Sequence, residues 1–146
     1  MTKTALIVGA GSGISAAVAR ALHRDGYAVA LAARDADKLA GLVKEVHGLA
    51  IPCDVSNADD VERLFSAVDD AMGRLDVVLF NASFRTRGPI EELPAGDVER
   101  ALMVGAYGGF RLGRAATQRM LKQGPEGGRG TILFTGASAS VKGYPQ

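Results

Sequence analysis

The sequence predicts an α/β protein built on a doubly wound parallel sheet. Three observations carry this. Apolar runs alternate with amphipathic helical patterns, the connections are long enough to cross over, and three glycines fall where the first run becomes the first helix. Strands covered on both faces are continuous in apolar residues, as these runs are. Right-handed crossovers then put a ligand at the carboxyl ends of the strands, at a switch point in their order.

Residues 4–10 (TALIVGA) read as a fully buried strand. Residues 14–24 are helical, with Ile14, Val18, Ala21 and Leu22 on one face and Asp25-Gly26 as the stop. YAVALAA (27–33) is the second strand. DADKLAGLVKEVH (35–47) is a helix capped by Asp35, with Leu39, Leu42, Val43 and Val46 inward and His47 at its end. GLAIPCD (48–54) is the third strand, shortened or bent by Pro52.

Ser56 or Asn57 then caps a helix whose inner face is Val61, Leu64, Phe65, Val68 and Met72. LDVVLFNA (75–82) is the fourth strand. After an irregular stretch, helical pattern resumes over 96–122 with a break near Gly105; Leu102, Ala106, Phe110, Gly113 and Thr117 mark its core-facing stripe. Gly124-Pro125 and Gly127-Gly128 form a turn-rich loop. TILFTGA (131–137) is the fifth strand, expected at an open edge of the sheet.

The 146 residues read as a single domain spanning 1–146. Hydrophobic residues make up 47% and charged residues 23%, as in ordinary soluble domains. A net charge of +1 supplies no field that would favour nucleic acid or an anionic membrane. Cys53 is the single cysteine, so no internal disulfide forms, and with His23 and His47 it makes no metal-ligand spacing. The opening apolar run, interrupted at Gly9, is too short for a signal-peptide core or a membrane span. The expectation is a cytoplasmic protein with no metal, nucleic-acid or membrane partner.

Gly9, Gly11, Ser12, Gly13 and Ile14 form the strand-to-helix turn. Glycine permits positive φ there and leaves no Cβ between backbone N–H groups and an anion. The helix start adds unpaired N–H groups and about half a positive charge. A phosphate is the ligand such a turn suits. The G-x-G-x-x-G dinucleotide pattern is not met, because Ile14 holds its last position.

The spacing that fits is Gly9-x-x-x-Gly13-Ile14-Ser15, which resembles the G-x-x-x-G-I-G of the short-chain dehydrogenase/reductase family. Ser15 replaces the final glycine, and Val8 stands where a threonine is common. Asp54-Val55 resembles the family's Asp-hydrophobic pair at the adenine, and Asn81-Ala82-Ser83 resembles its Asn-Ala-Gly at the cofactor ribose. The resemblance runs the length of the chain and implies a Rossmann fold that is C-terminally incomplete. It also implies an oxidoreductase moving a hydride between a nicotinamide cofactor and a small-molecule carbonyl or alcohol, in a protein that is commonly a homo-oligomer.

An acidic residue ending the second strand would hold the ribose and repel a 2′-phosphate. Here Ala33 ends that strand and Arg34 follows, so NADP(H) is expected over NAD(H), NAD remaining possible. By resemblance, Ser138 is the candidate catalytic serine, with Ser140 second, and Gly105 occupies the usual asparagine position. No Tyr-x-x-x-Lys occurs before Tyr144-Pro145-Gln146; the resemblance places that pair further on, so residues 1–146 alone are expected to show weak or no turnover. Two other readings stand beside this one. One is a non-catalytic dinucleotide-binding domain. The other is an S-adenosylmethionine methyltransferase, whose first motif Val8–Gly13 also resembles, although Arg34 replaces the acid that such enzymes want on the ribose.

Overall fold

Five apolar segments pair as one parallel sheet: β1 (Thr4–Val8), β2 (Ala28–Ala33), β3 (Leu49–Pro52), β4 (Val77–Phe80) and β5 (Thr131–Phe134). Their spatial order is β3-β2-β1-β4-β5, so the direction of winding reverses beside β1. The computed structural model describes residues 2–124 and 129–143. Pro125, Gly127 and Gly128 of the expected turn lie outside the described residues, as do Tyr144, Pro145 and Gln146.

Alternation along the strands sends successive side chains to opposite faces. Leu6 and Val8 join one buried cluster with Phe65, Val68, Leu112 and Ala116, from α3 (Ala58–Met72) and α5 (Gly108–Lys122). Ile7, Val29 and Leu31 join the other with Ala19 of α1 (Ile14–Arg24), and with Leu39 and Val46, which flank α2 (Ala40–Glu45). Helices therefore cover both faces, as the alternation of apolar runs and helices predicts.

The strands are shorter than the apolar runs. The run over 4–10 ends as strand at Val8, because Gly9 turns the chain at φ +81°. The runs over 27–33, 48–54, 75–82 and 131–137 likewise lose residues that serve as connections. On α1, Val18 and Leu22 of the expected inner face pack against the core, and Ile14 does not. Ser15, Ala16 and Ala19 are buried, while Ile14 is 62% exposed. Small side chains let the helix approach the sheet more closely than an isoleucine would permit.

The helix expected over 35–47 is a 3₁₀ turn (Ala36–Leu39) followed by the short α2. Leu39 and Val46 are buried as expected, but His47 lies beyond the helix at φ +46°. Asp35 precedes the turn without a side-chain cap bond and instead pairs with Lys38 Nζ at 3.1 Å. Of the two candidate caps of α3, Asn57 serves: its Oδ1 accepts from the N–H of Asp59 (2.9 Å) and of Asp60 (3.2 Å). Val61, Leu64, Phe65 and Val68 form its buried face, and αL Gly73 (φ +67°) terminates it.

The break near Gly105 is a π-helical turn, Met103–Tyr107, between α4 (Ala95–Leu102) and α5. The wider turn changes the phase of the helix. The stripe Leu102, Ala106, Phe110, Gly113 and Thr117 is therefore not core-facing; Leu102 and Phe110 are exposed, and Gly108, Gly109, Leu112 and Ala116 face the sheet. β5 has β4 as its one neighbour among the described residues, and Leu133 and Phe134 remain exposed there.

At the amino-terminal pole, buried Asp76 ties three segments together. Its carboxylate accepts from Thr4 N–H at 2.8 Å and from Arg74 Nε at 2.8 Å, and its carbonyl accepts from Thr131 N–H at 2.8 Å. Burial pushes its carboxyl up, but the Arg74 guanidinium and the Thr4 amide outweigh this and hold it below the usual carboxylate range.

Two predictions follow from this packing. Leu112, fully buried against the sheet, should cost about 2–5 kcal/mol on replacement by alanine, whereas Asn57→Ala should cost about 1 kcal/mol; urea unfolding measures both. Asp76 is depressed in the folded state, so its stabilisation is present above the unfolded carboxyl pKa and lost as pH falls through the folded one. The stability gap between wild type and Asp76→Asn should therefore shrink below about pH 4, and unfolding curves from pH 7 to pH 2 test this.

Candidate functional site

The carboxyl ends of β1, β2, β3 and β4 open into one cleft of about 1210 Å³. Gly9, Ala10, Gly11 and Ser12 line it beside β1, Ala33 and Arg34 at the end of β2, Asp54 and Val55 beyond β3, and Asn81, Ala82 and Ser83 beyond β4. The strand order reverses at this place, so the loops after β1 and β4 diverge and leave a crevice.

The glycine turn is fixed from two sides. Gly9 N–H and Ala10 N–H both donate to the Ala32 carbonyl at 2.9 Å. On the other side Asn81 N–H donates to the Val8 carbonyl at 2.7 Å. Gly9 is pressed so closely on the β4 loop that a Cβ there would lie 2.2 Å from Ala82 N. Gly11 and Gly13, by contrast, face open space and are exposed. Gly13 caps α1 with no side-chain bond, so the helix presents its first N–H groups without an internal acceptor.

At the far end, Asp54 sits in a tight turn. Its Oδ1 accepts from Ser56 N–H at 2.9 Å and from Ser56 Oγ at 2.6 Å, and its own N–H donates to Asp60 Oδ2 at 2.9 Å. The Ser56 hydroxyl holds the Asp54 carboxyl below its ordinary range, and the positive charges of Arg34 and Arg100 add to this. Val55 borders the cleft but is 4% exposed, because its side chain closes over Gly108 at the start of α5. It is as much a core residue as a wall. Arg100 stacks on Phe84 with its guanidinium 4.4 Å from the ring centre, which steadies the loop after β4.

The cleft also has residues that the sequence pattern did not single out. Lys38 stands on the rim beside Arg34, one helical step beyond Asp35; its spacing from Asp35 was the available signal. Arg20 and Glu45, also on the rim, form a bidentate pair at 2.6 and 2.8 Å that ties α1 to α2. Cys53 lies under the floor; burial pushes its thiol up to about 12, with Asp60 and Asp54 adding to the effect. It is a thiol at neutral pH and no nucleophile. Among the described residues no group of three or more His, Cys, Asp or Glu side chains is placed to hold a metal ion.

Other expected site residues fall outside the cleft lining. Gly13 and Ile14 lie at the start of α1 above it. Ser138 is exposed in a 3₁₀ turn, Ser138–Ser140, after β5, where Ser140 Oγ donates to the Ala137 carbonyl at 2.7 Å. Gly105 lies in the π turn, with the neighbouring Val104 on the cleft wall.

A parallel doubly wound sheet, with a bare glycine turn and a crevice at its switch point, defines a nucleotide-binding class of protein. Comparison with known proteins makes this specific. The short chain dehydrogenase family model matches residues 3–146, and the chain belongs to that family. It is 33% identical over 150 residues to versicolorin reductase stcU of Emericella nidulans, covering 99% of this chain and 55% of that one. Among solved structures it superimposes on an alcohol dehydrogenase of the archaeon Thermococcus sibiricus complexed with 5-hydroxy-NADP at a TM-score of 0.89, with 33% identity over 99% of this chain and 62% of that chain. An actinorhodin polyketide ketoreductase with NADPH gives a TM-score of 0.90 at 27% identity, over 98% of this chain and 56% of that one. The chain spans about half the length of the curated relatives it matches. No helix among the described residues is long and apolar enough to cross a membrane.

The buried thiol supplies a test of the cleft floor. Cys53 should resist iodoacetamide at pH 8 in the folded protein and react readily in 6 M guanidinium, as mass spectrometry of the alkylated peptide would register; prompt alkylation of the folded chain would mean an open floor.

Proposed function

We propose that this chain is the NADP(H)-binding part of an oxidoreductase that moves a hydride between the nicotinamide and a small-molecule carbonyl or alcohol. Residues 1–146 act in this reading as one NAD(P)-binding Rossmann domain. The observation that carries it is the far rim of the cleft: β2 ends in Ala33 where an acid would mark NAD(H), and Arg34 follows on the rim, with Lys38 nearby paired to Asp35.

The residues present fit the cofactor. Gly9, Gly11, Ser12, Gly13 and Ile14 would hold the pyrophosphate through backbone N–H groups at the α1 start. Arg34 would fork onto the 2′-phosphate. Asp54 and Val55 would border the adenine, with Asp54 kept ionised by Ser56 and so able to accept from an exocyclic amino group. Asn81, Ala82 and Ser83 would border the nicotinamide-side ribose. When bound, the nicotinamide supplies or takes up the hydride. Ser138, in its exposed turn, would orient the substrate oxygen by hydrogen bonding. The similarity to an alcohol dehydrogenase complexed with 5-hydroxy-NADP and to a ketoreductase with NADPH supports the cofactor choice.

A homo-oligomer belongs to this reading, supported by the exposed Leu102 and Phe110 on the α4–α5 face. A cytoplasmic setting fits the reduced, buried Cys53. A second reading, a non-catalytic dinucleotide-binding domain, is favoured by Gly105, which offers no side chain where the family carries asparagine. Both readings require cofactor binding, and only the first requires NADPH oxidation with a carbonyl acceptor.

A charge-assisted bond from Arg34 to the 2′-phosphate is worth about 1.5–3 kcal/mol, or about ten- to hundredfold in affinity. Fluorescence titration should give wild type a preference of that order for NADPH over NADH, and Arg34→Ala should lower the preference by about tenfold. An unchanged ratio would remove Arg34 from the 2′-phosphate and with it the argument for NADP(H).

A further inference from the structure

The family pattern has glycine where this chain has Ser15, a replacement that by itself weakens the resemblance. In the structure that serine is 1% exposed and its hydroxyl is fully engaged. Ser15 Oγ donates to the Gly9 carbonyl at 3.0 Å and accepts from Asn81 Nδ2 at 2.9 Å. The direct reach from Asn81 Nδ2 to the Gly9 carbonyl is 3.5 Å, at the limit of a hydrogen bond. One buried hydroxyl therefore joins three elements: the turn after β1, the first turn of α1, and the loop after β4.

We propose that Ser15 is a positioning residue for the cofactor site, locking the phosphate-binding turn to the Asn81 loop in a way a glycine at this position cannot. The inference rests on the reading of the cleft as an NADP(H) site. Without the hydroxyl, the Asn81 side chain keeps only its long contact to the Gly9 carbonyl, and the two loops are otherwise joined by backbone contacts. Both line the cleft, so a change in their separation alters the path from the pyrophosphate to the nicotinamide-side ribose. The adenosine end, held by the separate Asp54–Ser56–Asp60 turn, shares no bond with this node. Ser15 thus bears on the middle of the dinucleotide and leaves its adenosine end alone.

That separation gives the test. NADPH and adenosine 2′-monophosphate, which lacks the 5′-phosphate that would reach the glycine turn, are titrated against wild type, Ser15→Ala, Ser15→Gly, Asn81→Ala and the Ser15→Ala/Asn81→Ala double variant. Each variant's melting temperature is recorded alongside. Losing a neutral hydrogen bond should weaken NADPH binding by about fivefold in both Ser15 variants. Adenosine 2′-monophosphate affinity should stay within about twofold, because the adenosine end is untouched. The double variant should lose less NADPH affinity than the two single losses combined, as expected of two groups that share a bond. Unchanged NADPH affinity in Ser15→Ala would overturn the proposal. So would equal weakening of both ligands in step with the melting temperature, since that pattern belongs to a merely structural serine. Failure of the underlying reading looks different: wild type itself would then bind neither ligand, or show no Arg34-dependent preference.

Discussion

Everything at the carboxyl pole depends on the close approach of two backbones. Parallel pairing of β1 with β4 brings Val8 and Phe80 into register, and the next residues, Gly9 and Asn81–Ala82, then meet with no room for a Cβ between them. Gly9 meets both demands at that point, a left-handed φ of +81° and the absence of a side chain. From this contact the rest of the site is placed. The turn lifts away from the sheet, α1 begins beside the crevice, and its exposed N–H groups and dipole favour an anion there.

The polar groups of the cleft are arranged as three separate fixed points. Ser15 and Asn81 hold the centre, Asp54 with Ser56 and Asp60 holds one end, and the Arg20–Glu45 pair bridges the helices along the rim. Each is satisfied by bonds within the chain, and the first two tie the loops after β1, β3 and β4 without a ligand. Pre-organisation of this kind spares the ligand the entropy of ordering them. Asp35 shows the same economy of charge: with Lys38 against it, an acid next to Arg34 does not cancel the positive character of that rim.

The π turn at Met103–Tyr107 has the largest effect on the remaining surface. By adding to the turn, it rotates α5 so that Gly108 fits over Val55 and Leu112 enters the core, while Leu102 and Phe110 turn outward. Periodicity carried across Gly105 without a change of phase points to the wrong face, because the π turn shifts the residues after it. At the start of α1 a different factor, side-chain volume, decided the matter. The close helix–sheet approach selects Ser15, Ala16 and Ala19 over the more hydrophobic Ile14.

The sequence by itself determined the elements and their order, since continuous apolar runs, helical spacing and turn residues are local properties of the chain. It also placed the glycine turn, Arg34, Asp54 and Asn81 at strand ends, because strand ends are where apolar runs stop. Only the tertiary structure decided which groups meet. That Ser15 reaches both Gly9 and Asn81, 66 residues from the latter, follows from β1–β4 pairing and appears in no local pattern. Helix phase and the burial of Val55 were settled in the same way, by packing distances between elements that the sequence does not encode one segment at a time.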